Sequence, residues 1–170
     1  MNAPRTLVDA EVVSLVEELL AGGREVCVRV TGRSMTPWLA DGDVVTLRRV
    51  EPRSIIPGDI LLARHPRDGV VLHRVVARRR GDGDAVAYLL KGDALGFCEG
   101  PFAPAAVAGK VVAIQRGAGG GRKREVNLET AAARAGGRLL AWASAGAPRF
   151  FARASHLLLR QPRCGAPRTA

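Results

Sequence analysis

At 170 residues the chain has room for one domain of ordinary size plus extensions. Its net charge of +10 is uneven, because residues 1–115 carry a net charge of +1 and residues 116–170 a net charge of +9. Its three widely spaced cysteines form no CxxC pair, which argues against a zinc site or a disulfide framework, so we expect no metal and no cofactor. No apolar run approaches the ~18 residues of a membrane span. We therefore expect a cytoplasmic or peripherally membrane-associated chain without a transmembrane anchor.

The first element predicted is an amphipathic helix over residues 7–21, within an N-terminal segment 1–24. Valine and leucine recur there at spacings of three and four, with glutamates between them, and a glycine pair ends the pattern. This helix could pack on the body of the domain or on a partner.

Residues 25–115 read as a body of short strands separated by Gly, Pro and Asp turns. Alternating or continuous apolar runs predict six of them, at 26–30, 44–48, 60–63, 70–76, 86–90 and 107–114. Six strands with little helix between them indicate a mainly β domain, either a folded sheet or a partly open barrel.

The basic end of the chain divides into two parts. Residues 116–126 are rich in glycine and arginine and predict a flexible linker. Residues 127–170 form a basic tail, partly helical or disordered, in which a glycine pair at 136–137 interrupts the first helical stretch. Residues 149–160 place apolar side chains on one helical face and Arg/His on another, which fits an anionic membrane surface or partner, or packing on the chain's own domain.

The segment 31–37 directly follows a predicted strand and contains Ser34. Gly32 permits a sharp turn and Pro37 stops the strand from continuing. Such a turn can expose a hydroxyl and aim neighbouring N–H groups at one point, as a nucleophile and its oxyanion hole require. Gly-x-Ser turns are nevertheless common, and the segment alone does not establish a nucleophile.

A hydroxyl nucleophile needs a base, and His73 is the candidate. By the two-residue period of strands it shares a face with Val71 and Val75, where partial desolvation favours the neutral imidazole. Asp93 follows the next strand in a Lys-Gly-Asp turn and could orient that imidazole. Taken singly, a strand histidine satisfied by a neighbour and an aspartate capping a turn are the more common situations.

Six short boxes taken together resemble the type I signal peptidase family, over roughly residues 28–114. They are Thr-Gly-Arg-Ser-Met-Thr-Pro at 31–37, Asp-Gly-Asp at 41–43, Pro-Gly-Asp-Ile at 57–60, His-Arg-Val-Val at 73–76, Lys-Gly-Asp at 91–93 and Ala-Gly-Lys-Val-Val at 108–112. The usual bacterial members pair serine with lysine, whereas archaeal and endoplasmic-reticulum members have histidine followed by Arg-Val. This chain resembles the second style.

The resemblance implies a mixed, mostly antiparallel β fold of the signal peptidase type, in which Ser34 is the nucleophile, His73 its base and Asp93 an assisting carboxylate. It implies the Ser34 backbone N–H as an oxyanion donor and shallow apolar pockets for small residues before the cut bond. The box residues that would support the site are Gly32, Met35, Pro37, Arg74 and Gly92.

Three functions remain open from the sequence. The first is an endopeptidase that trims a leader- or signal-like peptide after small residues. The second is a domain of the same fold that cleaves only itself or binds a peptide without cutting, as in the related self-cleaving repressors, whose base is a lysine. The third is a module acting through its basic tail on membrane or nucleic acid, although no specific nucleic acid is expected.

Overall fold

The computed structural model describes residues 10–66, 69–80, 86–116 and 124–146, and all structural statements refer to them. Two α-helices flank a set of eight strands within these ranges. In chain order the elements are α1 (Ala10–Ala21), β1 (Val26–Arg29), β2 (Val44–Arg48), β3 (Ile60–His65), β4 (Gly69–Arg80), β5 (Val86–Lys91), β6 (Glu99–Phe102), β7 (Val107–Arg116), β8 (Arg124–Asn127) and α2 (Ala131–Gly146).

The strands form one curled antiparallel sheet, shaped as a half-barrel, in the order β1-β2-β7-β3-β4-β5-β6. Strand β7 organises the sheet because it pairs along one edge with β2, and along the other with β3 at its start and β8 at its end. The mainly β fold with an N-terminal and a C-terminal helix that the sequence predicts is confirmed. Every strand pair in the described ranges is antiparallel.

Two of these strands, β6 and β8, are absent from the six predicted ones. Strand β6 contains the dipeptide Gly100-Pro101, and proline normally argues against a strand. Strand β8 lies in the predicted linker 116–126, of which residues 124–126 are therefore strand, and Arg116 still belongs to β7. Its Val126 packs against the core, which stabilises a segment whose composition alone favours flexibility.

The core consists of two clusters on opposite faces of β3. Ile60 and Leu62 belong to the first cluster, whereas Leu61 and Ala63 belong to the second, and all four are buried. This alternation follows from the two-residue period of a strand, and burial on both faces explains the uninterrupted apolar run.

Helix α1 lies on the first cluster. Its Leu20 is 1% exposed and belongs to that cluster, and Val16 packs against it at the edge. An ion pair between Arg64 of β3 and Glu17 also joins the helix to the sheet. The predicted helix 7–21 is therefore present over Ala10–Ala21, and it packs on the domain itself.

Helix α2 runs without a break through the glycine pair at which the sequence predicted an interruption. A Cβ built on Gly58, in the loop before β3, would lie 2.7 Å from the backbone carbonyl carbon of Gly137. This close approach leaves no room for a side chain on Gly58, and the packing of Gly137 against this loop offsets its low helix propensity.

No helix in the described ranges is both long enough and apolar enough to cross a membrane. The predicted amphipathic segment 149–160 lies outside the described residues.

Candidate active site

Ser34 lies in a turn that follows β1 and is anchored to the core. The next residue, Met35, is 2% exposed and belongs to the first cluster. Gly32 has a φ of +93°, which glycine adopts readily, and its N–H donates to Asp41 Oδ1 at 2.9 Å. Pro37, exposed at the end of the turn, follows a cis peptide bond. The turn therefore holds Ser34 at the rim of the first cluster.

His73 lies in β4 with its side chain 5% exposed. Its cross-strand partner on β3 is the fully buried Leu61, so the imidazole lies on the face of the second cluster. The Nε2 atom is 3.1 Å from Ser34 Oγ, which is hydrogen-bonding distance for a nucleophile and its base. The structure thus brings these two predicted residues into contact.

The other ring nitrogen of His73 contacts Glu99, the first residue of β6. The distance from Nδ1 to Oε2 is 2.7 Å, and the Glu99 side chain is only 13% exposed. An ionised carboxylate only accepts hydrogen bonds, so Nδ1 is the protonated nitrogen and Nε2 is left to accept the Ser34 hydroxyl proton. Ser34, His73 and Glu99 therefore lie in the order of hydroxyl, imidazole and carboxylate that a catalytic triad has.

Asp93 binds Arg74 instead of the histidine. Arg74 Nε donates to Oδ1 at 2.8 Å and Nη2 to Oδ2 at 2.7 Å, with both side chains buried. A third donor, Nη1, reaches the Gly58 carbonyl at 3.0 Å. Neighbouring residues of a strand point to opposite faces of the sheet. Asp93, which is bound to Arg74, is therefore on the opposite side of β4 from the imidazole of His73. The contact with the imidazole that the resemblance implied for Asp93 is made by Glu99.

The loop that contains Asp93 also holds the serine turn. The Ala94 N–H donates to the Ser34 carbonyl at 2.9 Å. A Cβ on Gly92 would lie 2.7 Å from the same oxygen, so only glycine allows this approach. Gly92 and Ala94 therefore support the backbone of Ser34.

Glu99 is the site residue that the sequence analysis overlooked. Only two carboxylates lie between β5 and β7, and the Lys-Gly-Asp box drew attention to Asp93 alone. The available signal was that second carboxylate, Glu99, which lies in the segment between the Lys-Gly-Asp box and β7.

A family model described as Peptidase S24-like matches residues 4–87, a range that includes both Ser34 and His73. This match covers just under half of the chain and assigns that part to the S24-like peptidase family. The match ends before Glu99 and Asp93. No curated protein and no solved structure matches the chain significantly.

In this S24-like domain the backbone N–H groups of Ser34 and Met35 make no hydrogen bond to any other described residue. Two other N–H groups of the turn are engaged, because that of Gly32 donates to Asp41 and that of Thr36 donates to the Arg33 carbonyl at 3.1 Å. Two unpaired amide donors beside a candidate nucleophile are suited to hold a developing oxyanion.

Neither of the two lysines in the described ranges of the S24-like domain is hydrogen-bonded to Ser34. Lys110 forms an ion pair with Asp59 at 3.1 Å. Lys91 lies close enough to Cys98 for its positive charge to oppose the rise in the pKa of that thiol. Neither lysine lines the cavity beside Ser34. Within the described residues, the basic side chain that contacts the Ser34 hydroxyl is therefore His73.

Proposed function

We propose that this S24-like protein is a serine endopeptidase of the serine–histidine style. The observation that supports it best is the series of two hydrogen-bonding distances, 3.1 Å from Ser34 Oγ to His73 Nε2 and 2.7 Å from His73 Nδ1 to Glu99. A chance contact between a serine and a histidine would not be expected to have a buried carboxylate on the other ring nitrogen, as Glu99 is here. Ser34 acts as nucleophile, His73 as general base and Glu99 as the group that orients the ring.

In the first half of the reaction Ser34 Oγ attacks a peptide carbonyl carbon while His73 Nε2 takes the hydroxyl proton. The carboxylate of Glu99 stabilises the imidazolium that forms. The carbonyl oxygen becomes negative and accepts hydrogen bonds from the N–H groups of Ser34 and Met35. His73 then gives its proton to the departing amine, which leaves an acyl-enzyme on Ser34.

In the second half a water molecule replaces the amine. His73 removes a proton from the water, the resulting hydroxide attacks the ester carbonyl, and the proton returns to Ser34 Oγ as the acid product leaves. Every step uses the same imidazole, so a single residue serves as base and acid in turn.

Two unpaired strand edges support a peptide as the substrate. In the described ranges β1 pairs only with β2, and the first half of β4 pairs only with β3, because β5 begins to pair at Arg74. Residues of both segments line the cavity that contains Ser34 and His73. An extended peptide, such as a leader- or signal-like segment, would find free backbone partners there.

Labelling with a fluorophosphonate tests the proposal on the full chain. We expect mass spectrometry to find the label on Ser34, and we expect Ser34→Ala and His73→Gln to lower its rate by at least ~10³-fold. Ser54→Ala is the matched control, because the Ser54 hydroxyl donates to the Glu51 carbonyl and contacts no histidine. A folded protein that neither labels at Ser34 nor cuts any peptide in a His73-dependent way would disprove the proposal.

A single self-cleavage would use the same three residues, and the S24-like family match favours it as a second candidate. The intact mass of the chain after prolonged incubation separates the two functions. A clipped wild-type chain alongside an intact Ser34→Ala chain indicates self-cleavage, whereas an intact wild-type chain that cuts added peptides indicates turnover.

A further inference from the structure

A cavity of about 230 Å³ lies beside Ser34 and His73. Its floor consists of core side chains, among them Met35, Val45 and Leu62, which are 8% exposed or less. Arg29 of β1 is the charged residue in its lining, which also includes the imidazole of His73. The cavity is therefore an apolar recess that opens at the serine.

The volume of this recess decides which side chain fits it. An apolar cavity of roughly 150 Å³ binds benzene. The recess beside Ser34 is larger, so the methyl group of an alanine would leave most of the apolar lining without contact. We propose that the recess selects a large aliphatic or aromatic side chain of the substrate. This differs from the preference for small residues that the signal peptidase resemblance implies, and it depends on the peptidase activity proposed above.

One wall of the recess comes from outside the sheet. Val13 and Val16 of α1 both line it, and Val13 is 5% exposed. The helix is held in place by Leu20 in the first cluster and by the ion pair of Glu17 with Arg64. The side chain at position 16, partly buried at the edge of the cluster, therefore limits the size of the group that the recess admits.

The contrast between substrates follows from the area that a larger side chain buries. Leucine adds three carbon atoms to alanine, and each buried carbon of this kind strengthens binding roughly fourfold. We therefore expect kcat/KM for the best leucine or phenylalanine peptide to exceed that of the alanine peptide by roughly 50-fold.

The test uses the full chain and alanine-rich eight-residue peptides, each with one Ala, Val, Leu or Phe at a successive position. Val16→Phe should fill the recess, lowering kcat/KM for the leucine and phenylalanine peptides at least ~10-fold more than kcat/KM for the alanine peptide. Val16→Ala should raise the ratio of phenylalanine to alanine cleavage, which keeps the test valid if the larger variant does not fold. The matched control is Leu15→Phe, because Leu15 is 55% exposed on the same helix and lies outside the recess.

Two further readouts separate the recess from the chemistry. Fluorophosphonate labelling of Ser34 reports the nucleophile alone, so its absence in folded wild type counts against the proposed function. Binding of the same peptides to Ser34→Ala, measured by fluorescence polarisation, reports the recess without turnover. Equal affinity and equal cleavage for alanine and leucine at every position, or an equal loss for all peptides in Val16→Phe, would overturn the selection of large side chains.

Discussion

Replacing Asp93 by asparagine should destabilise the fold far more than it slows chemistry at Ser34. The Asp93 carboxylate accepts hydrogen bonds from Arg74 at 2.8 and 2.7 Å, and the two side chains are 7% and 5% exposed. Asparagine keeps the size of the side chain but leaves a buried guanidinium without a compensating charge. Breaking a buried ion pair on one side costs about 3–5 kcal/mol. For a chain of this length that lowers Tm by roughly 6–20 °C.

The matched substitution is Glu99→Gln, for which we expect the opposite result. A glutamine oxygen can still accept the hydrogen bond of His73, so the free energy of unfolding should fall by only about 1 kcal/mol. The imidazolium, however, loses the charge that stabilises it, and glutamine can instead turn its NH₂ group to the ring and favour the wrong tautomer. The equivalent change in the Ser-His-Asp triad lowers kcat about 10⁴-fold.

Thermal melts followed by circular dichroism, together with labelling rates at a temperature where both variants are folded, measure the two effects. We expect Asp93→Asn to melt early and label within about tenfold of wild type, and Glu99→Gln to melt normally and label very slowly. The reasoning is refuted if Asp93→Asn abolishes labelling at an unchanged Tm while Glu99→Gln labels normally.

Three further predictions concern parts of the fold outside the triad. Gly58→Ala should lower the free energy of unfolding by about 2–5 kcal/mol in a urea titration, because φ is +103° and the new Cβ would meet Gly137; an unchanged midpoint contradicts this packing. Lys110→Met should cost about 3–5 kcal/mol in the same assay, because the buried Asp59 carboxylate keeps the Ile56 N–H but loses its cation, and an unchanged free energy of unfolding would contradict this. Burial raises the pKa of the Cys98 thiol, against an opposing effect of the Lys91 charge, so at pH 8 it should react with a disulfide reagent more slowly than N-acetylcysteine, and equal rates would refute this.

The sequence predicts the elements that local pattern determines and misses those that tertiary contact determines. All six predicted strands exist, because alternation and turn residues specify them locally. Strand β6 exists because it pairs with β5, where Leu90 lies opposite Glu99. The segment has only four residues and contains Pro101, so its sequence shows no periodicity that would predict this pairing. Helix α2 likewise continues through its glycines because Gly137 packs on the loop before β3. For the candidate site, the boxes located Ser34, but the carboxylate behind the histidine depended on a pairing that the boxes did not contain.

The adjacent residues His73 and Arg74 connect the chemistry of the site to its support. The alternation of β4 sends the imidazole toward Ser34 and the guanidinium to the other face, where it binds Asp93. Asp93 lies in the loop whose Ala94 N–H holds the Ser34 carbonyl, so the ion pair positions the serine turn through the backbone. The Lys-Gly-Asp box is thus needed by the site although its carboxylate does not contact the base. The presence of the Lys-Gly-Asp box in a sequence therefore does not reveal whether its carboxylate binds the imidazole or supports the loop next to the serine.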